Sequence, residues 1–106
     1  MSVPQFTTPT FILTIEGEQI DLTEAKNVYV TFRTKGYELT KPSSELDIEE
    51  KSIGVYLSQE ETSHMPTGYI EIQANWTMQN GSRIDRVATE SVTYPISKQL
   101  LKQVIE

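Results

Sequence analysis

No cysteine occurs in the 106 residues, so disulfide staples and thiolate metal sites are excluded at once. Small extracellular domains often depend on disulfides, so their absence points to a reducing cytoplasm. No apolar run approaches the ~20 residues that cross a bilayer, and no membrane partner is expected. The opening MSVPQFTTPTFILTI has no basic n-region and only a short apolar stretch, so no signal peptide is expected. Basic residues are few: nine Lys and Arg stand against fifteen Asp and Glu, for a formal net charge of −6. Arg33, Lys35, Lys41, Arg83 and Arg86 are scattered among acids rather than gathered into a stripe. Nucleic-acid binding, which needs phosphates neutralised by Lys and Arg, is therefore not expected.

Chemistry is equally sparse. His64 is the only histidine. It falls in a short helical turn, where a solvated loop histidine is the expected reading and a nucleophile–base pair the remote one. No HExxH, P-loop, dinucleotide glycine fingerprint or EF-hand loop is present. Glu49-Glu50 and Glu60-Glu61 could attract a cation, but adjacent surface acids ordinarily just face solvent. The sequence thus predicts no catalytic residue, no cofactor site and no metal site, and no enzyme.

What the chain does have is period-2 alternation. The clearest stretch runs from Gly68 to Met78, where Ile70, Ile72, Ala74, Trp76 and Met78 share one face and Glu71, Gln73, Asn75 and Thr77 the other. That pattern predicts a central strand with one buried face and makes Trp76 a core anchor. Asn80-Gly81 suits a two-residue hairpin turn. The return strand, from Arg83 to Ile96, does not keep one phase. Ile84 and Ala88 match the face of Val92, Tyr94 and Ile96, but Arg86 interrupts that face and Val87 points away. Either a bulge shifts the register near Arg86–Glu90, or Val87 covers a local patch. Pro95, unable to donate to a ladder, places that end of the strand near a sheet edge.

Shorter strands are predicted at Thr10–Ile15, Val28–Thr34, Tyr37–Lys41, Leu46–Ile48 and through Ile53, Val55 and Leu57. Asp21-Leu-Thr-Glu24 and Ser58-Gln-Glu-Glu61 are capping signatures that predict helical turns. Residues 1–9, with Pro4 and Pro9, read as an extended arm. Residues 97–106 read as a C-terminal helix capped by Ser97, with Leu100, Leu101, Val104 and Ile105 on one apolar stripe. Those four are the candidate interaction residues. Both ends are segments that dock either on this domain or on another subunit or copy. One domain spans residues 1–106, and short strands without βαβ spacing predict an all-β antiparallel sandwich. The helical turn before the central strand resembles the crossover between the sheets of an immunoglobulin-like fold. A small open barrel is the alternative.

PTFILTIEG, IDLTEAKNVYVTF, VYLSQEET, GYIEIQANW, NGSRI and VATE, in that order from about Thr8 to Ile105, resemble a group of short proteins. These are encoded among the structural genes of tailed phages and prophages of Gram-positive bacteria. More faintly, the chain is similar to the N-terminal module of upper baseplate proteins of such phages. The resemblance implies an immunoglobulin-like virion structural or assembly protein of tail, baseplate or head–tail region. Its partners would be other phage structural proteins or further copies in a homo-oligomer. It would sit in the virion, or in the host cytoplasm during assembly. No functional residue carries over, because the shared motifs are fold determinants. Two other classes remain open at this point: a carbohydrate- or cell-wall-binding sandwich, which exposed tyrosines or Trp76 along a groove would favour, and a small acidic phage regulatory protein or host-directed inhibitor.

Overall fold

A computed structural model describes residues 3–16, 21–89, 91–100 and 105. The chain is an all-β sandwich of two sheets. The larger is built on β7 (Gly68–Asn80), whose thirteen residues follow the alternation read from the sequence. On one side β7 pairs with β3 (Lys26–Thr34), and β3 with β4 (Tyr37–Pro42). On the other side it pairs with β8 (Arg83–Ala88) along its second half and β9 (Val92–Ser97) along its first. The smaller sheet runs β2 (Thr10–Thr14), β6 (Ser52–Tyr56), β5 (Leu46–Ile48). A five-residue helix, α1 (Gln59–Ser63), leads from the smaller sheet to the larger. The core is the set of inward residues of both sheets: Val28, Val30, Phe32, Ile70, Ile72, Ala74 and Trp76 from one, Phe11, Ile53 and Val55 from the other. The Phe11 ring bridges the layers, 5.7 Å from Phe32 on β3 and 5.7 Å from Tyr94 on β9.

Both capping signatures form their turns. Asp21 accepts the Thr23 N–H at the head of a 3-10 turn over Leu22–Glu24. Ser58 and Glu61 exchange both bonds of a capping box.

The hairpin differs from expectation by one residue. Asn80 pairs with Arg83, so the loop is Gly81–Ser82 rather than Asn80–Gly81. Gly81 takes the positive φ of +64° that opens this loop. Sliding a two-residue loop by one position shifts the pairing by two residues and leaves the faces unchanged, so odd-numbered residues of β8 oppose the even-numbered, inward residues of β7. Val87 opposes Trp76 and packs on the core, while Ile84 and Ala88 face outward. The phase is restored before β9, where Val92 opposes Ile72 and Tyr94 opposes Ile70. Between Ala88 and Val92 lie three residues, 89–91, against two on β7, Gln73 and Ala74. This is a β-bulge, and Val87 also covers the core, so the two explanations for the broken phase hold together.

Thr89 holds the bulge in place. Its N–H donates to the Ala74 carbonyl at 3.0 Å, and its hydroxyl accepts the Ala74 N–H at 3.0 Å. Gln73 Nε2 donates to the Thr89 carbonyl at 2.8 Å. The hydroxyl thus stands in for a ladder carbonyl. Thr89→Val keeps the shape but leaves the N–H of buried Ala74 unpaired, which is expected to cost about 1–3 kcal/mol. Thr89→Ser should cost less than about 1 kcal/mol, and equal costs in urea denaturation would remove the hydroxyl's role. A second bulge lies across β7. Lys26 pairs with Thr77 but Tyr29 with Asn75, so Asn27 and Val28 oppose Trp76 alone. Asn27 adopts φ +52°, a conformation asparagine tolerates. Bulges on both flanks of β7 bend and twist the larger sheet around the smaller.

The first described residues, from Val3, form part of the domain. Val3–Pro4 is a short strand, β1, parallel to Ile96–Ser97, and Val3 is fully buried. Gln5 Nε2 donates to the Met65 carbonyl at 2.7 Å, and the Thr62 hydroxyl donates to the Thr7 carbonyl at 2.8 Å. The sheet edge that Pro95 signalled is therefore covered by β1. At the other end Ser97 closes β9, and Lys98–Leu100 is not helical. The rest of the expected C-terminal helix, apart from Ile105, lies outside the described residues.

Candidate functional site

Among the four tail residues singled out in the sequence, Leu100 is exposed in a bend and Ile105 is exposed beside α1. Gln59 grips the backbone of Ile105 at both ends of its amide, accepting its N–H at 2.9 Å and donating to its carbonyl at 2.7 Å. Leu101 and Val104 lie outside the described residues.

His64 ends α1, and its ring stacks on Tyr37 with centroids 5.6 Å apart and planes inclined by 27°. Both line an open cleft of about 570 Å3 with Lys41, Glu45, Tyr56, Ser58, Glu60 and Glu61. The polar groups here are engaged with one another. The Ser58 hydroxyl accepts the Glu61 N–H, and the Glu61 carboxylate accepts the Ser58 N–H at 2.8 Å and the Lys41 ammonium at 2.9 Å. Burial alone would raise the Glu61 carboxyl's pKa. The Ser58 N–H and the Lys41 charge outweigh that and hold it below the ordinary glutamate value. Lys41 is itself buried, and its position explains why: Tyr37, Leu39 and Lys41 share the inward side of β4. Among the described residues no carboxylate hydrogen-bonds the His64 ring, and no three acidic or histidine side chains gather as a metal site.

The larger sheet also carries an open depression of about 420 Å3 lined by Tyr29, Asn27, Asn75, Trp76, Thr77 and Arg86. Arg86 donates to the Asn75 side chain at 3.2 Å. Trp76, the aromatic that a sugar-binding groove would use best, is turned to the core and only 3% exposed.

A largely apolar concavity, with Glu16 at its lining, lies where the two sheets part. It measures about 590 Å3 and is lined by Ile12, Leu13 and Ile15 from one sheet and Val87, Val92 and Tyr94 from the other, with Trp76 behind them. Ile12 is 70% exposed at its rim and Val92 40%. The sequence marks each of these as a strand residue but does not place them together, since Ile12 and Val92 are eighty positions apart. The available signal is that Thr10–Thr14 is apolar on both faces.

No helix among the described residues is long and apolar enough to cross a membrane. Comparisons with family models, curated proteins and solved structures give no match to this chain.

Proposed function

We propose that this chain is a phage- or prophage-derived virion structural or assembly protein of the tail, baseplate or head–tail region. It acts by protein–protein contact, on an immunoglobulin-like variant of the sandwich, in the virion or in the host cytoplasm during assembly. The phage setting rests on the order of short motifs in the sequence. The contact role rests on one structural observation: an apolar groove bordered by an uncharged, exposed strand, β2. Exposed apolar patches mark protein-contact surfaces and ligand-binding grooves, and the open strand edge beside this one favours protein contact. The reading contains no reaction, and the His64 cleft fits it, because its Ser58, Glu61 and Lys41 groups are spent on each other. A saccharide-binding module is the second reading, favoured by exposed Tyr29 above its depression and weakened by inward-facing Trp76.

Peptide mass spectrometry of purified particles, with copy number, tests the assignment. A fixed stoichiometry is expected for a virion component, and its value distinguishes a ring from a tube. Absence from particles together with abundance in infected cells would replace the structural role by that of an assembly chaperone or a host-directed inhibitor.

A further inference from the structure

We propose that two copies of this chain join through β2, strand to strand and antiparallel about a two-fold axis at Ile12, making one continuous six-stranded sheet from two smaller sheets. This rests on the protein-contact reading above and names the partner at that surface.

The backbone geometry leaves β2 open in the right way. The Pro9 carbonyl accepts the Leu57 N–H at 3.0 Å, and the Ile15 N–H donates to the Lys51 carbonyl at 2.8 Å. Odd-numbered residues of β2 therefore turn their backbone groups toward β6. Thr10, Ile12 and Thr14 turn theirs to the open side. Pro9, which has no N–H, falls in the odd set, so the open edge loses no donor to it.

The side chains make this edge self-complementary. Thr10-Phe11-Ile12-Leu13-Thr14 is close to a palindrome. Centred on Ile12, an antiparallel copy sets Thr10 opposite Thr14, Phe11 opposite Leu13 and Ile12 opposite Ile12. The pairs 10–14, 12–12 and 14–10 are those with free N–H and C=O groups, and each exchanges two hydrogen bonds. Phe11 and Leu13 stay on the inner face in both copies. The two Ile12 side chains, each 70% exposed in one copy, meet on the outer face. The same step brings the apolar grooves of the two copies side by side.

Charge selects this edge over the others. At −6 per copy, association works against net repulsion. The remaining described edges carry the usual protection. β4 has Glu38 and Pro42, β5 has Asp47 between Glu45 and Glu49, β8 has Arg83 and Arg86, and β1 is two residues ending in proline. β2 has no charge along its length. Glu16, the next charge along, would face Thr8 of the second copy in this register.

The test begins with sedimentation equilibrium of the wild-type chain, expected to give twice its 12.1 kDa. Ile12→Lys sets two ammonium groups against each other on the axis and should weaken dimerisation about tenfold or more, with an unchanged far-UV CD spectrum. Because the chain has no cysteine, the register can be read by cross-linking. Thr10→Cys and Thr14→Cys would face each other about 5.5 Å apart between Cα atoms, within disulfide reach. Two copies of either variant alone would hold their thiols about 14 Å apart, four residues of strand. Mixing the two variants under oxidation should give about tenfold more covalent dimer than either alone. A wild-type monomer at about 100 μM, where micromolar association would be saturated, overturns the proposal. So does a dimer indifferent to Ile12→Lys, or cross-linking that ignores the register. If the free chain is monomeric but Ile12→Lys removes it from particles, the strand at this edge belongs to another protein. The second-copy proposal then fails while the assembly reading stands; absence of the wild-type chain from particles removes that reading instead.

Discussion

Phe32→Ala should destabilise the domain by about 5 kcal/mol and Trp76→Ala by about 3 kcal/mol, although tryptophan is the larger side chain. The ordering follows from what surrounds the void each would leave. Phe32 is wholly buried in the middle of β3, and its ring contacts Phe11 across the sandwich. Its removal creates a sealed cavity, so the cavity penalty adds to the lost transfer free energy. Trp76 is buried too, but one side of it lines the apolar groove. Its removal enlarges an opening that water already reaches, and the cavity penalty is largely absent. Both costs are large against the 5–15 kcal/mol that stabilises a typical domain. Urea denaturation measures them as midpoint shifts at constant slope. Trp76, the only tryptophan, reports wild-type and Phe32→Ala unfolding by fluorescence. Trp76→Ala needs far-UV CD. A Trp76→Ala cost below about 1 kcal/mol would remove Trp76 from the core, and a larger cost than for Phe32→Ala would mean the groove is closed in solution.

The same residues show how much of the fold was legible in the sequence. The face of β7 was readable throughout, because five apolar side chains in strict alternation allow one burial pattern. β8 was not, although its residues are as clearly a strand. A two-residue loop at either Asn80–Gly81 or Gly81–Ser82 turns Val87 inward and Ile84 outward, but the apolar pattern Ile84, Ala88, Val92, Tyr94 argues for the opposite face until the bulge between Ala88 and Val92 is placed. The bulge that repairs the phase was legible as a disruption but not as a Thr89 side chain accepting a backbone N–H. Val3 was missed as a core residue because a two-residue strand has no period to detect. The apolar groove and its open edge lay further out of reach. β2 reads as a strand, yet nothing local says that it ends at an open edge, and the opposite wall of the groove comes from β8 and β9. The charge-free palindrome Thr10–Thr14 was visible from the start. It acquires meaning only once the Pro9 and Ile15 hydrogen bonds show which backbone groups turn away from β6.

Glu61→Gln is expected to cost about 3 kcal/mol at neutral pH, because it strands the buried Lys41 ammonium without its counter-ion. The low end of the range for breaking a buried pair applies. The Lys41 side chain is 9% exposed but that of Glu61 is 23% exposed at the wall of an open cleft, so water partly replaces the lost partner. The pH dependence has a definite sign. The folded carboxyl has a depressed pKa, so its contribution is complete above the unfolded glutamate value of about 4.3 and is lost as pH falls through the lower folded value. The difference between wild type and Glu61→Gln should therefore be constant from pH 7 to about 5 and shrink toward pH 3. Replacing both partners, Lys41→Met with Glu61→Gln, should restore stability to within about 1 kcal/mol of wild type, since Met fills the space of the lysine stem and no charge is left buried. A Glu61→Gln cost that stays the same at pH 3 and pH 7 would show that the charge pairing with Lys41 is not what makes Glu61 important, since glutamine keeps an acceptor for the Ser58 N–H. In that case the double variant would stay as unstable as Glu61→Gln alone.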